Sequence, residues 1–350
     1  MTEGTRTNVE HAFQRTIFMR LRTGYLMRHL LALLFILSIF SFDAEAQSWK
    51  RYRHEVFGGA GGTNFLGELG GGQSEARDLF LDFDAQSTRF AFMGGYRYKL
   101  NEITSVRGSL AYAQLYGSDR FSGDPHRRSR NLTFRSPVIE LAATGELYFI
   151  REKTSNRYRV RGIRGALGSG ISAYINAGLG IFYFNPRGQF FGNATYPGDE
   201  KWYGLRKIGT EGQGLPGERK KYSPVSVCIP IGIAAKYSFN RNISITLEYS
   251  FRYTFTDCMD DVSTDYYDPV AIADANGGLG SATGQATAWL SNPAYVVTKP
   301  DGELFLAGGA RPWEYPVQQR GDRTTNDTYM FAIIAMNYKF TSKKANRPKF

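Results

Sequence analysis

Residues 225–239 read VSVCIPIGIAAKYSF and residues 243–256 read ISITLEYSFRYTFT, with Asn240, Arg241 and Asn242 between them. In both segments the odd positions carry the large apolar side chains, from Val225, Val227 and Ile229 through Tyr237 and Phe239, and from Ile243 through Tyr253 and Phe255. The even positions are small, polar or charged, among them Ser226, Cys228, Lys236, Glu248 and Arg252. A period of two is the signature of a strand with unlike faces. Pairing Phe239 with Ile243 across the three-residue turn keeps both apolar sets on one face, so pattern and turn agree on one register.

Working outward, the same alternation recurs in six more places. Phe90, Phe92, Tyr96 and Tyr98 oppose Ala91, Gly95, Arg97 and Lys99. Beyond the turn 101–103, Val106, Leu110 and Tyr112 oppose Ser105, Arg107 and Ser109, and further on Ile139, Leu141 and Leu147 oppose Glu140, Thr144 and Glu146. Segments 52–62, 171–184 and 327–341 complete a set of eight. Strands of this length exceed the usual globular five or six residues, and a tilted strand crosses a bilayer in about 10. The connections alternate: 63–87, 117–132, 185–221 and 258–326 are long, whereas 101–103 and 240–242 are short and 151–170 is moderate. An even strand count with long loops at one end and short turns at the other predicts an eight-stranded antiparallel transmembrane β-barrel of the outer-membrane type, with both termini periplasmic. A soluble lipocalin-like barrel has the same parity with the apolar face turned inward. Aromatic residues near strand ends and an export leader favour the membrane.

That leader is read from Met27, Arg28 and His29, the 13-residue apolar run Leu30–Phe42 and an Ala44-Glu45-Ala46 end, which together describe a signal peptide over 27–46 cut before Gln47. Residues 1–26 carry no structural pattern and read as an extended or non-native N-terminal region, leaving 47–350 as the barrel domain. The apolar run is too short for a membrane-spanning helix, which needs about 20 residues. Two cysteines make no disulfide framework, and no zinc-ligand spacing is present. Cys228 falls opposite Thr254 in the expected register, which separates it from Cys258 and predicts two free thiols.

With apolar positions toward lipid, the lumen receives Arg97, Arg107, Lys236 and Arg252 together with Glu55, Glu140, Glu146 and Glu248. Eight strands leave an interior just wide enough for side chains to fill, so these groups are expected to form a buried ion-pair plug and not a pore. The register sets Arg97 opposite Arg107, which requires acids from Glu55 and from Glu140 or Glu146 between them. No Ser/His/Asp set can be assembled: the histidines beyond the leader are His54 and His126, so no catalytic residue and no cofactor are expected. Gly209–Gly217 is glycine-rich like a phosphate loop, but Glu218 and Arg219 stand where Lys and Ser/Thr are required. Asp257, Asp260, Asp261, Asp265 and Asp268 follow the seventh strand. Their density allows calcium, yet the spacing lacks the EF-hand glycine and terminal Glu, and a solvated rim paired with Arg127, Arg128 and Arg130 is the weightier reading.

Three blocks carry a family resemblance: Asn64–Gly70 (NFLGELG) after Gly58 and Gly59, Ile208–Gly214 (IGTEGQG), and Phe251–Asp257 (FRYTFTD) followed by Asp260–Ser263 (DDVS). They resemble the PorG-like outer-membrane barrel family, over about 52–341. The resemblance implies a non-enzymatic assembly or anchoring component of the type IX secretion machinery that associates with a periplasmic ring of PorK/PorN-like proteins; it implies no catalytic residues. The long segment 258–326 and Cys258 depart from the family pattern. The expected docking site is the turn 151–170, where Arg151, Lys153, Arg157, Arg159, Arg161 and Arg164 face the single acid Glu152. Basic residues beside a membrane also bind anionic headgroups, and outer-membrane lipid is an expected partner in any case. The competing function is an external binding or adhesion barrel, with the loops bearing Trp202, Trp289 and Trp313 as contact surface. Nucleic acid and small-molecule substrates are not expected, because the basic residues are dispersed over loops and lumen.

Overall fold

The computed structural model describes residues 50, 52–69, 86–121, 127, 130–152, 170–192, 198–294, 296–298, 304–306, 318–322 and 324–340. All lie in the unit Ser48–Phe350, so the expected signal peptide at 27–46 and the segment 1–26 fall outside the described residues.

Twelve strands form: β1 (His54–Leu66), β2 (Arg89–Lys99), β3 (Thr104–Ser118), β4 (Thr133–Ile150), β5 (Ile171–Phe184), β6 (Arg187–Gln189), β7 (Trp202–Gly204), β8 (Val225–Ser238), β9 (Ile243–Thr254), β10 (Val296–Thr298), β11 (Leu304–Leu306) and β12 (Thr328–Phe340). Eight of them close a barrel in the order β1, β2, β3, β4, β5, β8, β9, β12, each antiparallel to its neighbours, with β12 returning to β1. Closure removes every free strand edge around the wall. The register of β8 and β9 sets Ser238 opposite Ser244 and Cys228 opposite Thr254, the pairing that the three-residue turn dictates. Likewise Arg97 stands opposite Arg107. Both cysteines are free.

Parity sorts the side chains as the period of two requires. Leu110, Leu141, Leu179, Leu247 and Ile334 stand exposed around the middle of the wall. Tyr96, Phe149, Tyr237 and Phe340 ring the short-turn end, and Phe90, Tyr112, Tyr183 and Tyr253 ring the long-loop end. An aliphatic band between two aromatic girdles is the surface of a lipid-facing barrel. The lipocalin-like alternative would have turned this surface inward.

Two expectations need correction. The first and third strands extend to Leu66 and Ser118, so the expected loops 63–87 and 117–132 are shorter at their starts: Thr63–Leu66 still pairs with Phe331–Thr328 of β12. The segments taken as loops at 185–221 and 258–326 also contain structure. β6 pairs with β4 and carries β7, α1 (Leu205–Ile208) follows, and α2 (Pro269–Ala275), α3 (Ala282–Ser291) and the β10–β11 hairpin lie in the longer segment. The helix signals are local caps, not periodicity. Asp268 accepts from Val270 N with Pro269 at the first position, and Ser281 accepts from Gly284 N.

Candidate functional site

The lumen is built from the inward positions of all eight wall strands. Near the short-turn end, Glu55 on β1 binds Arg97 on β2 and, at 2.5 Å, Lys236 on β8. Glu146 on β4 lies 2.6 Å from Arg97 Nε and 3.6 Å from Arg107 Nε, contacts that are ionic but out of line for a hydrogen bond. This carboxylate makes the Arg97–Arg107 juxtaposition tolerable. Arg107 then reaches across to Glu248 on β9, four strands away around the ring and so on the opposite wall, donating from both terminal nitrogens. Glu140 is not part of this group. It accepts from Arg252 Nε at 3.1 Å and from the Tyr329 hydroxyl at 2.6 Å in a separate layer closer to the long-loop end.

Three charged members of this ion-pair network escaped the sequence reading. Glu152, assigned to the basic turn, folds back into the mouth of the barrel, where it binds Lys99 at 3.0 Å, Lys339, and Lys236 at 4.0 Å. Burial by itself would raise its pKa, but Lys236, Lys99 and Lys339 hold the carboxyl well below the usual carboxylate range. Lys99 and Lys339 sit on the inward parity of β2 and β12, a signal present in the sequence and passed over because both lie at strand ends. Above the ion pairs, Phe57, Phe65, Phe134, Phe182 and Phe331 fill the remaining width, with Arg252 stacked 4.0 Å from the Phe331 ring centre. Gly95 makes room for one of them, since a Cβ there would stand 2.9 Å from the Phe57 ring. Lys236 and Arg252 are each only 1% exposed. Charges this dry need direct partners, and both have them, Lys236 in Glu55 and Arg252 in Glu140.

The three blocks that carry the resemblance converge at the long-loop end. Gly209 and Gly212, at φ 74° and 78°, turn the chain so that Glu211 points inward, and a Cβ at Gly212 would strike the Tyr267 ring. Glu211 accepts from Ser263 N at 2.8 Å and Thr264 N at 3.1 Å, and pairs with Arg320 at 3.1 Å. Burial opposes its charge, yet Arg320 and these donors hold its carboxyl below the ordinary range. The glycine-rich segment is therefore a strut for a buried carboxylate. From the first block, Leu69 N donates to Asp260 at 3.2 Å. Asp261 accepts from Tyr222 at 2.6 Å and also from Thr210, and burial, opposed by Arg320, pushes its carboxyl up to about 6.

This arrangement corrects the expected solvated rim. Asp260 and Asp261 are buried, Asp268 caps α2, and the arginines pair elsewhere: Arg130 grips Asp119 at 2.9 and 3.0 Å, with Arg127 3.8 Å away from the same group. Asp119 wins because it lies in the same short connection, where closing the contact costs little chain entropy. Arg128 lies outside the described residues. Of the expected contact tryptophans, Trp289 is buried against Phe190, Trp202 lies under the Arg135 guanidinium, and Trp313 is outside the described residues. Trp289 therefore cannot serve as an exposed adhesive residue. At the other end, Arg151 is exposed and 3.9 Å from Glu102, while Lys153, Arg157, Arg159, Arg161 and Arg164 lie outside the described residues, as does His126.

No protein-family model and no curated protein matches the chain. Among solved structures it is similar to the attachment invasion locus protein Ail of Yersinia pestis, crystallised with the heparin analogue sucrose octasulfate, at 9% identity over 83% of this chain and 99% of that one, TM-score 0.33. It is also similar to Neisserial surface protein A, at 10% identity over 82% and 97%, TM-score 0.32. A third is the N-terminal β-barrel domain of OprF from Pseudomonas aeruginosa, at 9% identity over 83% and 98%, TM-score 0.28. Likeness at this level carries no functional argument; the eight-stranded antiparallel barrel of the outer-membrane type is established by the chain's own closed pairing and apolar belt.

Proposed function

We propose that the chain is a non-conducting outer-membrane barrel that assembles or anchors the type IX protein secretion machinery, holding a periplasmic ring of PorK/PorN-like proteins through the turn after β4. In this reading the short turns and both termini are periplasmic and the long loops face outward. The observation that carries it is the withdrawal of Glu152 into the lumen. It is the one acid of residues 151–170, so with Glu152 bound inside the barrel the stretch offers Lys153, Arg157, Arg159, Arg161 and Arg164 with no further acid in its sequence, while Arg151 lies 3.9 Å from Glu102. A basic turn on a barrel with a plugged lumen suits an anchor better than a conduit, and the family resemblance supplies the partner class. Docking of this kind is steered at long range and weakened by salt.

Reversal of Arg157, Arg159 and Arg161 to Glu should leave the barrel folded while lowering co-purification of ring components and secretion of type IX cargo. Recovery of both at wild-type yield, from a variant that reaches the outer membrane, excludes this turn as the docking site. Cysteines placed at Ser122 and Ser155 in a cysteine-free background test the orientation, since an impermeant reagent on intact cells should label the first and spare the second. An adhesion barrel would leave the secretome of a deletion strain unchanged.

A further inference from the structure

At the long-loop rim, three carboxylates meet that neither the expected calcium cluster nor the resemblance brought together. Glu68 follows β1, Asp257 follows β9 and Asp327 precedes β12, and these are three consecutive strands of the wall. One oxygen from each lies within 4.8 Å of the others. Asp327 is 1% exposed; its Oδ2 accepts from Met259 N at 2.8 Å, whereas Oδ1 is buried with no partner. Both oxygens of Asp257 are likewise buried and without a hydrogen-bond partner. Asp260 stands beside them, its own oxygens taken by Leu69 N and Val262 N. Among the described residues Arg130 and Arg127 are the cations nearby: the Arg130 guanidinium is committed to Asp119 and to the carbonyls of Glu68 and Arg320, and Arg127 donates to the Glu68 carbonyl and lies 3.8 Å from Asp119.

We propose that Glu68, Asp257 and Asp327 bind a calcium ion that staples the long-loop ends of β1, β12 and β9. Orphaned oxygens of a buried carboxylate are costly unless something positive meets them. Calcium binds oxygen ligands at about 2.3–2.6 Å, so ligands of one ion stand at most about 5 Å apart, a limit these three oxygens meet, lying within 4.8 Å of one another; magnesium keeps several waters and is usually held by one or two carboxylates, so a set of three suits calcium better. Soft metals have no sulfur or nitrogen in the group. Without an ion, burial and then the neighbouring Glu68 and Asp260 push Asp257 up to about 9, and burial with Asp260 and Glu68 raises Asp327 well above the carboxylate range, the response of acids that lack a counter-charge. The ion would also clamp the two ends of the long 258–326 excursion, because Asp257 and Asp327 flank it.

The test is thermal unfolding of the full barrel in detergent after chelation, titrated with calcium chloride alone from about 0.1 to 10 mM, which covers and exceeds the affinity range of extracellular calcium modules, about 0.1–1 mM. The midpoint should rise by about 2–4 °C at saturation, less with magnesium. Asp257→Asn/Asp327→Asn should abolish the rise, as should Glu68→Gln if the double variant does not fold, and Asp199→Asn in a separate loop should keep it. A wild-type midpoint indifferent to calcium overturns the proposal, and so does a rise that survives in the folded cluster variants.

Discussion

The two ends of this lumen use the same chemistry to opposite effect. Toward the short turns, Glu55, Glu146, Glu152 and Glu248 interleave with Arg97, Arg107, Lys99, Lys236 and Lys339, so that each buried charge has a direct opposite partner. At the long-loop rim, Glu68, Asp257, Asp260 and Asp327 crowd together while Arg130 is spent on Asp119. The difference shows that burial does not decide whether a charge stabilises; completeness of pairing does. A paired end is electrostatically complete. An unpaired end is either a strain in the fold or a place for a cation.

The comparison breaks most readily at the paired end. Glu248→Leu removes the partner of Arg107 from a side chain that has no route to water, and should cost about 3–5 kcal/mol, read as loss of heat-modifiable mobility on a gel. A barrel unaffected by this change would mean that the lumen is wet and the plug description is wrong. The outer wall gives the next effect. Leu141 faces outward at 59% exposure near the middle of β4, and Leu141→Glu should cost about 2 kcal/mol in a bilayer, less than a cation at the same depth. A harmless Leu141→Glu would reverse the assignment of inside and outside. The unpaired end should respond with the opposite sign: in metal-free protein, Asp257→Asn removes an acid that burial and its neighbours force to take up a proton on folding, and should raise stability by about 1 kcal/mol or less, seen in the denaturant midpoint. A loss comparable to that of Glu248→Leu would show that the rim acids are already balanced.

Much of this was legible in the linear chain, for a physical reason. A strand repeats every two residues, so the faces of Val225–Ser238 and Ile243–Thr254 are local properties, and a three-residue turn transmits the register between them. Membership of the lumen follows from the same parity, which is why Glu55, Arg97, Arg107, Glu140, Glu146, Lys236, Glu248 and Arg252 could be named in advance. Acids from neighbouring strands could be narrowed for Arg97 and Arg107, to Glu55 and to Glu140 or Glu146, but partners across the lumen could not be named. Arg107 meets Glu248 across the barrel and Arg252 meets Glu140 three strands away, contacts that exist only once the sheet has closed. Closure also drew Glu152 out of the basic turn and brought Glu68, Asp257 and Asp327 to one point from positions up to 259 residues apart. Parity is written residue by residue; proximity across a lumen is a property of the ring, and no period in the chain encodes it.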